Sequence, residues 1–276
     1  MENITIDELY DHKRFKKSTI SNYLLLVIYF PFGILCVIFR IIFLTFILLL
    51  SKLIKLKKRL INSLLIKAFG IKAYFYNISN FDFNGNSIIV ANHIVLGDFL
   101  PFLLMKRKII VVGSGTMNRF WKFLENLVRK IVIHDEGLRG LRKARIEIKN
   151  ALENNEENVS LLMFPEGTIG SGKALHKFNR LAFTFNVEIQ PVYIRLKHHF
   201  PISLHPINSS HTMNVLYSLF VPRLVYHITF IPKQKKKLNE KPKDFAVRVQ
   251  LLMADSAKVI PSNFTITDKN NYKKQL

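Results

Sequence analysis

The chain has 276 residues, 49% of them apolar and 12% aromatic, which is enough for a sizeable core and excludes a disordered chain. Lys+Arg number 41 against 19 Asp+Glu, a formal net charge of +22, so the chain calls for an anionic partner: nucleic acid, a membrane surface or a phosphorylated substrate. A single cysteine, Cys36, excludes a disulfide scaffold, a Cys-type zinc site and an iron–sulfur cluster.

A basic segment, residues 1–22, leads into residues 23–50, an apolar run broken by one charge, Arg40. A spanning helix needs about 20 apolar residues, so the run is long enough to insert in a membrane. It starts too late and runs too long for a cleavable signal peptide. Pro31 and Gly33 invite a bend, and both flanks are basic: Lys13, Arg14, Lys16 and Lys17 before, Lys52, Lys55, Lys57, Lys58 and Arg59 after. Like-charged flanks favour both ends on the cytosolic side, hence an embedded hairpin, with a single tilted helix as the alternative. Residues 51–70 interleave Leu and Ile with Lys and Arg, which suits a basic helix at the headgroup level.

From residue 71 onward, short apolar runs alternate with longer amphipathic ones. The strand-like runs are 73–77, 87–91, 108–113, 130–134, 160–164, 189–195 and 225–231. The helix-like ones are 98–105, 118–129, 138–153 and 244–257. This pattern predicts an α/β domain over residues 71–260, with a mainly parallel central sheet flanked by helices and a site at the carboxyl ends of the strands. Residues 261–276 read as a polar, basic, loosely ordered tail.

Two clusters follow predicted strands. In SIIVANHIVLGDFLPF, Asn92 and His93 end a strand and Asp98 lies five positions on. Five residues of helix rotate about 500°, so His93 and Asp98 meet only where the chain turns. A carboxylate on one imidazole nitrogen fixes the tautomer and frees the other nitrogen to take a proton from a hydroxyl. A surface ion pair is the blander reading of the same residues. In SLLMFPEGTIGSGKALHKF, Glu166 and Gly167 sit in a Pro/Gly turn, followed by Thr168, Gly170, Gly172, Lys173, Lys177 and Arg180. Such a turn offers backbone N–H groups and cations to a phosphate. The spacing from Gly167 to Gly172 and Lys173 also fits a P-loop, but Ala174 stands where the magnesium-binding hydroxyl belongs. His198, His199, His205 and His211 are loosely spaced without Cys partners and read as surface histidines, so no metal is expected. No nucleic-acid recognition motif occurs, and the basic residues cluster beside the apolar run.

Together, NH-x-x-x-x-D and a downstream FPEGT resemble the glycerolipid acyltransferases, the PlsC-like or lysophospholipid acyltransferase family, over roughly residues 60–260. The family's first motif falls on Asn92, His93 and Asp98, the third on Phe164, Pro165, Glu166, Gly167 and Thr168, and the strand proline of the fourth on Pro191. GKALHKF with IQPVYIRL is similar to the lysophosphatidylcholine acyltransferase branch. FPFGILCVIFRIIF, YSLFVPRLVYHITFI and DFAVRVQLLMA look like ancient ubiquitous protein, a lipid-droplet and endoplasmic-reticulum relative. Two departures stand out. Asp135 in IVIHDEG occupies the place of the second motif's arginine, with Arg139 or Arg142 nearby as possible substitutes. Ile169 and Gly170 stand where Arg-Ser is frequent.

The resemblance implies a membrane-bound enzyme moving a fatty acyl group from acyl-CoA to a lysophospholipid or lysophosphatidate hydroxyl. His93 and Asp98 would be catalytic, and Asn92, Glu166, Gly167, Thr168 and Lys173 would bind substrate. Acyl-CoA is then a co-substrate and no cofactor is needed. The expected location is the endoplasmic-reticulum or lipid-droplet membrane, with the domain facing the cytosol. A catalytically weak or inactive acyltransferase-like scaffold of the lipid droplet or endoplasmic reticulum is the alternative the same resemblance leaves open.

Overall fold

A computed structural model of the chain describes residues 4–54, 57–114, 130–133, 138–153 and 158–276. Each of the seven strand-like runs is a strand. These are β1 (Ile71–Tyr76), β2 (Ser87–Ala91), β3 (Lys108–Ser114), β4 (Lys130–Ile133), β5 (Val159–Met163), β7 (Ile189–Lys197) and β8 (Leu224–Phe230). They form one sheet in the order β1-β8-β7-β2-β5-β3-β4, parallel throughout except where β7 meets β8. The short β6 (Ala174–Leu175) and β9 (Ile260–Pro261) pair separately.

The central strands are apolar on both faces because both faces are covered. Along β2, Ile89 and Ala91 enter one core, while Ile88 and Val90 enter the other. The first core is closed by α1 (Ile20–Leu53), α2 (Lys58–Ala68) and α4 (His211–Phe220), with Leu44, Leu65 and Leu219 buried in it. The second is closed by α3 (Leu138–Glu153) and α5 (Pro242–Ala257) through Ala144, Ile148, Phe245 and Val249.

Four expectations change. First, the apolar run is one continuous 34-residue helix, α1, about 51 Å long, and not a hairpin. Pro31 sits within it and forgoes one ladder hydrogen bond. Gly33 serves close packing, because a Cβ there would collide with the Phe220 ring. The lone charge, Arg40, is buried and donates to the carbonyls of Leu219, Val221 and Pro222, closing the end of α4. One face of α1 is thus fastened to the domain, while Leu24, Val27, Phe32, Leu35, Phe39 and Ile42 on the rest of it are exposed. By length and composition the helix could cross a membrane.

Second, residues 98–105 contain only a 3-10 stretch, Leu100–Leu104. Pro101 occupies its start, and the chain must enter β3 by Lys108, which leaves room for tight turns alone. Third, the tail is ordered: Ile266–Gln275 form α6 behind a capping box in which Thr265 and Asp268 exchange hydrogen bonds. Fourth, His198 and His205 are half-buried, each with one ring nitrogen turned inward, as described below. The predicted helix 118–129 and Asp135 lie outside the described residues.

Candidate active site

Val90 of β2 is level with Met163 of β5 on one side and Pro191 of β7 on the other. The carboxyl ends of these parallel strands therefore deliver Asn92–His93 and Phe164–Thr168 to one edge. Asn92 is 1% exposed. Its amide donates to the Ile194 carbonyl at 3.0 Å and accepts the Ile194 N–H at 2.6 Å. The side chain stands in for one more rung of the ladder, so the main chain can leave the sheet at His93 without orphaning β7.

The turn needed to join His93 to Asp98 is present. His93 Nδ1 lies 2.9 Å from Asp98 Oδ2, which also accepts the N–H groups of Ile94 at 2.5 Å and Val95 at 2.9 Å. Asp98 is fully buried, while the His93 side chain keeps 18% exposure. The five-residue spacing therefore works because the carboxylate caps the loop that it closes. The imidazole stacks on Phe164 with centroids 4.3 Å apart, and Nε2 makes no hydrogen bond among the described residues. With Nδ1 held by a carboxylate, Nε2 is positioned as a proton acceptor. Asp98 Oδ1 and the Tyr226 hydroxyl, both buried, have no hydrogen-bond partner among the described residues.

Behind this pair lies a second histidine–carboxylate pair. Glu166 Oε1 accepts the His93 N–H at 2.8 Å, and Oε2 accepts the N–H of His176 at 2.9 Å and lies 2.8 Å from its Nδ1. His176 Nε2 meets the Tyr10 hydroxyl at 2.7 Å. All three side chains are buried, and burial pushes the Tyr10 phenol upward from its ordinary value. Gly167 takes φ +65°, which favours glycine, and its N–H closes the turn on the Phe164 carbonyl at 3.0 Å. Gly170 donates to the His93 carbonyl at 2.9 Å and leaves no room for a Cβ beside the His176 ring.

Thr168 is buried, and its Oγ1 receives Lys269 Nζ of α6 at 3.0 Å. The same amine donates to the Ile169 carbonyl at 2.7 Å and lies over the Tyr10 ring. Burial lowers the Lys269 amine to about 8. Gly167 and Lys173 are exposed at the rim. Of the predicted binding residues, Asn92, Glu166 and Thr168 thus have polar atoms committed to protein partners, and Gly167 and Lys173 face outward. Arg139 and Arg142 are exposed on α3.

The N-terminal segment closes the other side: Ser171 donates to the Leu9 carbonyl, Ser203 to that of Arg14, and Lys16 to that of Pro201. A cavity of about 80 Å³ between this segment and Ile94, Val95, Gly170 and Ser171 is lined by His198 and His205. His198 Nδ1 and His205 Nε2 are buried without hydrogen-bond partners among the described residues, and burial lowers the two groups to about 4 and about 3. Their place after β7, not their spacing, turns them inward. Tyr10, His176 and Lys269 were not singled out by sequence reasoning. His176 lay in the quoted GKALHKF, but nothing in the sequence links Tyr10 or Lys269 to this turn.

A family model described as Acyltransferase matches residues 72–195. The lipid droplet-regulating VLDL assembly factor AUP1 homolog of Caenorhabditis elegans is 27% identical over 284 residues, covering 100% of this chain and 69% of that protein. AUP1 of Danio rerio is 25% identical over 294 residues, covering 100% of this chain and 64% of that protein. The lysophospholipid acyltransferase LPCAT4 of Xenopus tropicalis is 33% identical over 120 residues, 42% of this chain and 23% of that protein. In structure, the chain is similar to the 1-acyl-sn-glycerophosphate acyltransferase PlsC of Thermotoga maritima, with TM-score 0.54 and 19% identity over 85% of this chain and 94% of that one. Residues 72–195 are thus similar to the acyltransferase family, and the chain has a PlsC-like fold preceded by a long apolar helix.

Proposed function

We propose that this protein is a membrane-associated acyltransferase that moves a fatty acyl group from acyl-CoA to the free hydroxyl of a lysophospholipid or lysophosphatidate. The observation that carries this reading is His93, held through Nδ1 by a buried Asp98 while Nε2, at a partly exposed edge, is unpaired among the described residues. His93 Nε2 takes the proton of the acceptor hydroxyl as its oxygen attacks the thioester carbonyl. The tetrahedral centre collapses by breaking the C–S bond, and coenzyme A leaves as a thiolate that recovers the proton from His93. Such acid–base catalysis contributes about 10²–10⁴-fold, with orientation of the two substrates adding more. Glu166 acts through the His93 N–H that it holds, a positioning role, while the exposed Gly167 turn and Lys173 are placed to meet an acceptor's phosphate. The exposed apolar face of α1 keeps the domain at the bilayer or lipid-droplet surface where both acyl chains reside, with endoplasmic reticulum as the matching compartment.

A second reading, an inactive lipid-droplet scaffold, is favoured by the relatives aligned over the whole chain, which bear the name of lipid droplet-regulating VLDL assembly factors. The test is acyl transfer from labelled oleoyl-CoA in mixed micelles to a panel of lysophosphatidate, lysophosphatidylcholine and related acceptors, with His93→Ala alongside. Turnover that vanishes in the variant supports the enzyme and names its acceptor. Equal background from both folded proteins on every acceptor leaves the scaffold.

A further inference from the structure

A groove of about 700 Å³ opens between the start of α2 and the chain entering β3, well away from His93. Lys108, where β3 begins, is level with Val159 of β5, and Ser160 is level with Ser87, six residues before His93. At about 3.3 Å per residue the groove and His93 lie roughly 20 Å apart, at opposite ends of the sheet.

Its walls carry Lys58, Arg59, Lys106, Arg107 and Lys108, and no carboxylate lines it among the described residues. Arg107 is fixed by the carbonyls of Phe83, Gly85 and Val159 and by the Ser160 hydroxyl, so it forms a rigid wall. Lys58, Arg59 and Lys106 are exposed, and no acidic partner holds them among the described residues. Lys57, Lys58 and Arg59 also crowd the amino end of α2, which has no side-chain cap. Cations are disfavoured at that end of a helix, where the free N–H groups favour an anion. A cluster that works against its own helix is expected where a ligand repays it. One further group points to what that ligand offers. Asn62, half-buried on the groove wall, donates to the Leu103 carbonyl at 3.3 Å, and its Oδ1 is buried with no hydrogen-bond partner among the described residues. It needs a donor, such as a hydroxyl. Lys58, on the groove wall, lies five residues beyond the end of α1, the helix long and apolar enough to cross a membrane.

We propose that this groove binds the headgroup of an anionic, hydroxyl-bearing phospholipid, with the phosphate among Lys58, Arg59 and Lys106 and a headgroup hydroxyl on Asn62. The proposal concerns binding alone and stands whether or not the His93 site turns over.

The test uses the full chain in neutral detergent, titrated with dioctanoyl phosphatidylinositol, phosphatidic acid or phosphatidylcholine and read by hydrogen exchange over residues 58–66 and 103–109. Phosphatidylinositol is expected to protect both segments, with phosphatidylcholine inert and added salt weakening the effect. Lys58→Gln/Arg59→Gln/Lys106→Gln, all at exposed positions, should weaken binding at least about tenfold. Asn62→Ala should weaken phosphatidylinositol more than phosphatidic acid, which has no headgroup alcohol. Equal protection by phosphatidylcholine, or an unchanged affinity in the triple variant, overturns the proposal. So does protection by coenzyme A or inorganic phosphate that no lipid displaces, which would make the groove a site for a soluble phosphate.

Discussion

Two histidine–carboxylate pairs stand on either side of the same loop, with nearly the same geometry and opposite surroundings. His93 and Asp98 are 2.9 Å apart, and His176 and Glu166 are 2.8 Å apart, each through Nδ1. In the first pair the imidazole keeps 18% exposure and its Nε2 is unpaired among the described residues, whereas in the second the imidazole is fully buried and Nε2 is taken by Tyr10. A carboxylate on Nδ1 prepares a base only if Nε2 can reach a substrate. The first pair therefore has the geometry that the proposed proton transfer requires, and the second braces the first through the Glu166 contact to the His93 N–H.

The largest expected effect tests the first pair. His93→Gln should cut acyl transfer by about 10²–10⁴-fold while leaving the denaturation midpoint nearly unchanged, because the residue sits at the edge of the core. A large loss of stability would place His93 with the structural pair instead. Glu166→Gln should behave the other way round. It puts an amide donor against N–H donors inside the protein, a mismatch expected to cost about 3 kcal/mol in chemical denaturation, with activity falling as a consequence. Were the midpoint unchanged and only acceptor KM raised, Glu166 would be a substrate ligand and the contrast between the pairs would collapse. Tyr10→Phe is smaller: it strands His176 Nε2 in the interior, at about 1–3 kcal/mol. An unaltered midpoint there would mean that the N-terminal segment does not brace the site.

The sequence made the first pair legible and hid the second. His93 and Asp98 are near in sequence, both follow an apolar strand, and only a turn had to be supposed. Glu166 could be placed at the site, but its role could not, because its partners come from elsewhere: the His93 main chain, His176 beyond the glycine turn, and through it Tyr10, 166 residues from His176. The seven strands were readable because each is a short apolar run bounded by polar residues. The reading of α1 as a hairpin erred because Pro31 and Gly33 were taken as breakers. Only the facing Phe220 reveals why glycine is needed, and only the α4 carbonyls reveal why the run carries an arginine. The tail misled in the same way, since polar composition conceals the one lysine that α6 sends inward. A Thr-x-x-Asp capping box at 265–268 was the available signal.

That lysine permits the finest test of the second pair. Lys269 is lowered to about 8 from an ordinary 10.5 by burial, with Lys273 nearby lowering it further and Glu166 opposing the shift. Between those values the unfolded chain holds a proton that the folded one has released, so stability rises with pH from about 8 to 10.5 and levels off above. Below 8 both states are protonated and the full cost of burying the ammonium is present. Denaturation midpoints at pH 7.5 and 9.5 should therefore differ by an amount worth about 2 kcal/mol in the parent, and this difference should shrink in Lys269→Met. The neutral amine still donates to Thr168 and Ile169, so α6 stays docked as the proton leaves, and hydrogen exchange over residues 266–275 should slow at the higher pH after correction for intrinsic rates. If Lys269→Met keeps the parent's pH slope, the amine is not buried against the Glu166 turn, and the C-terminal helix has no part in supporting His93.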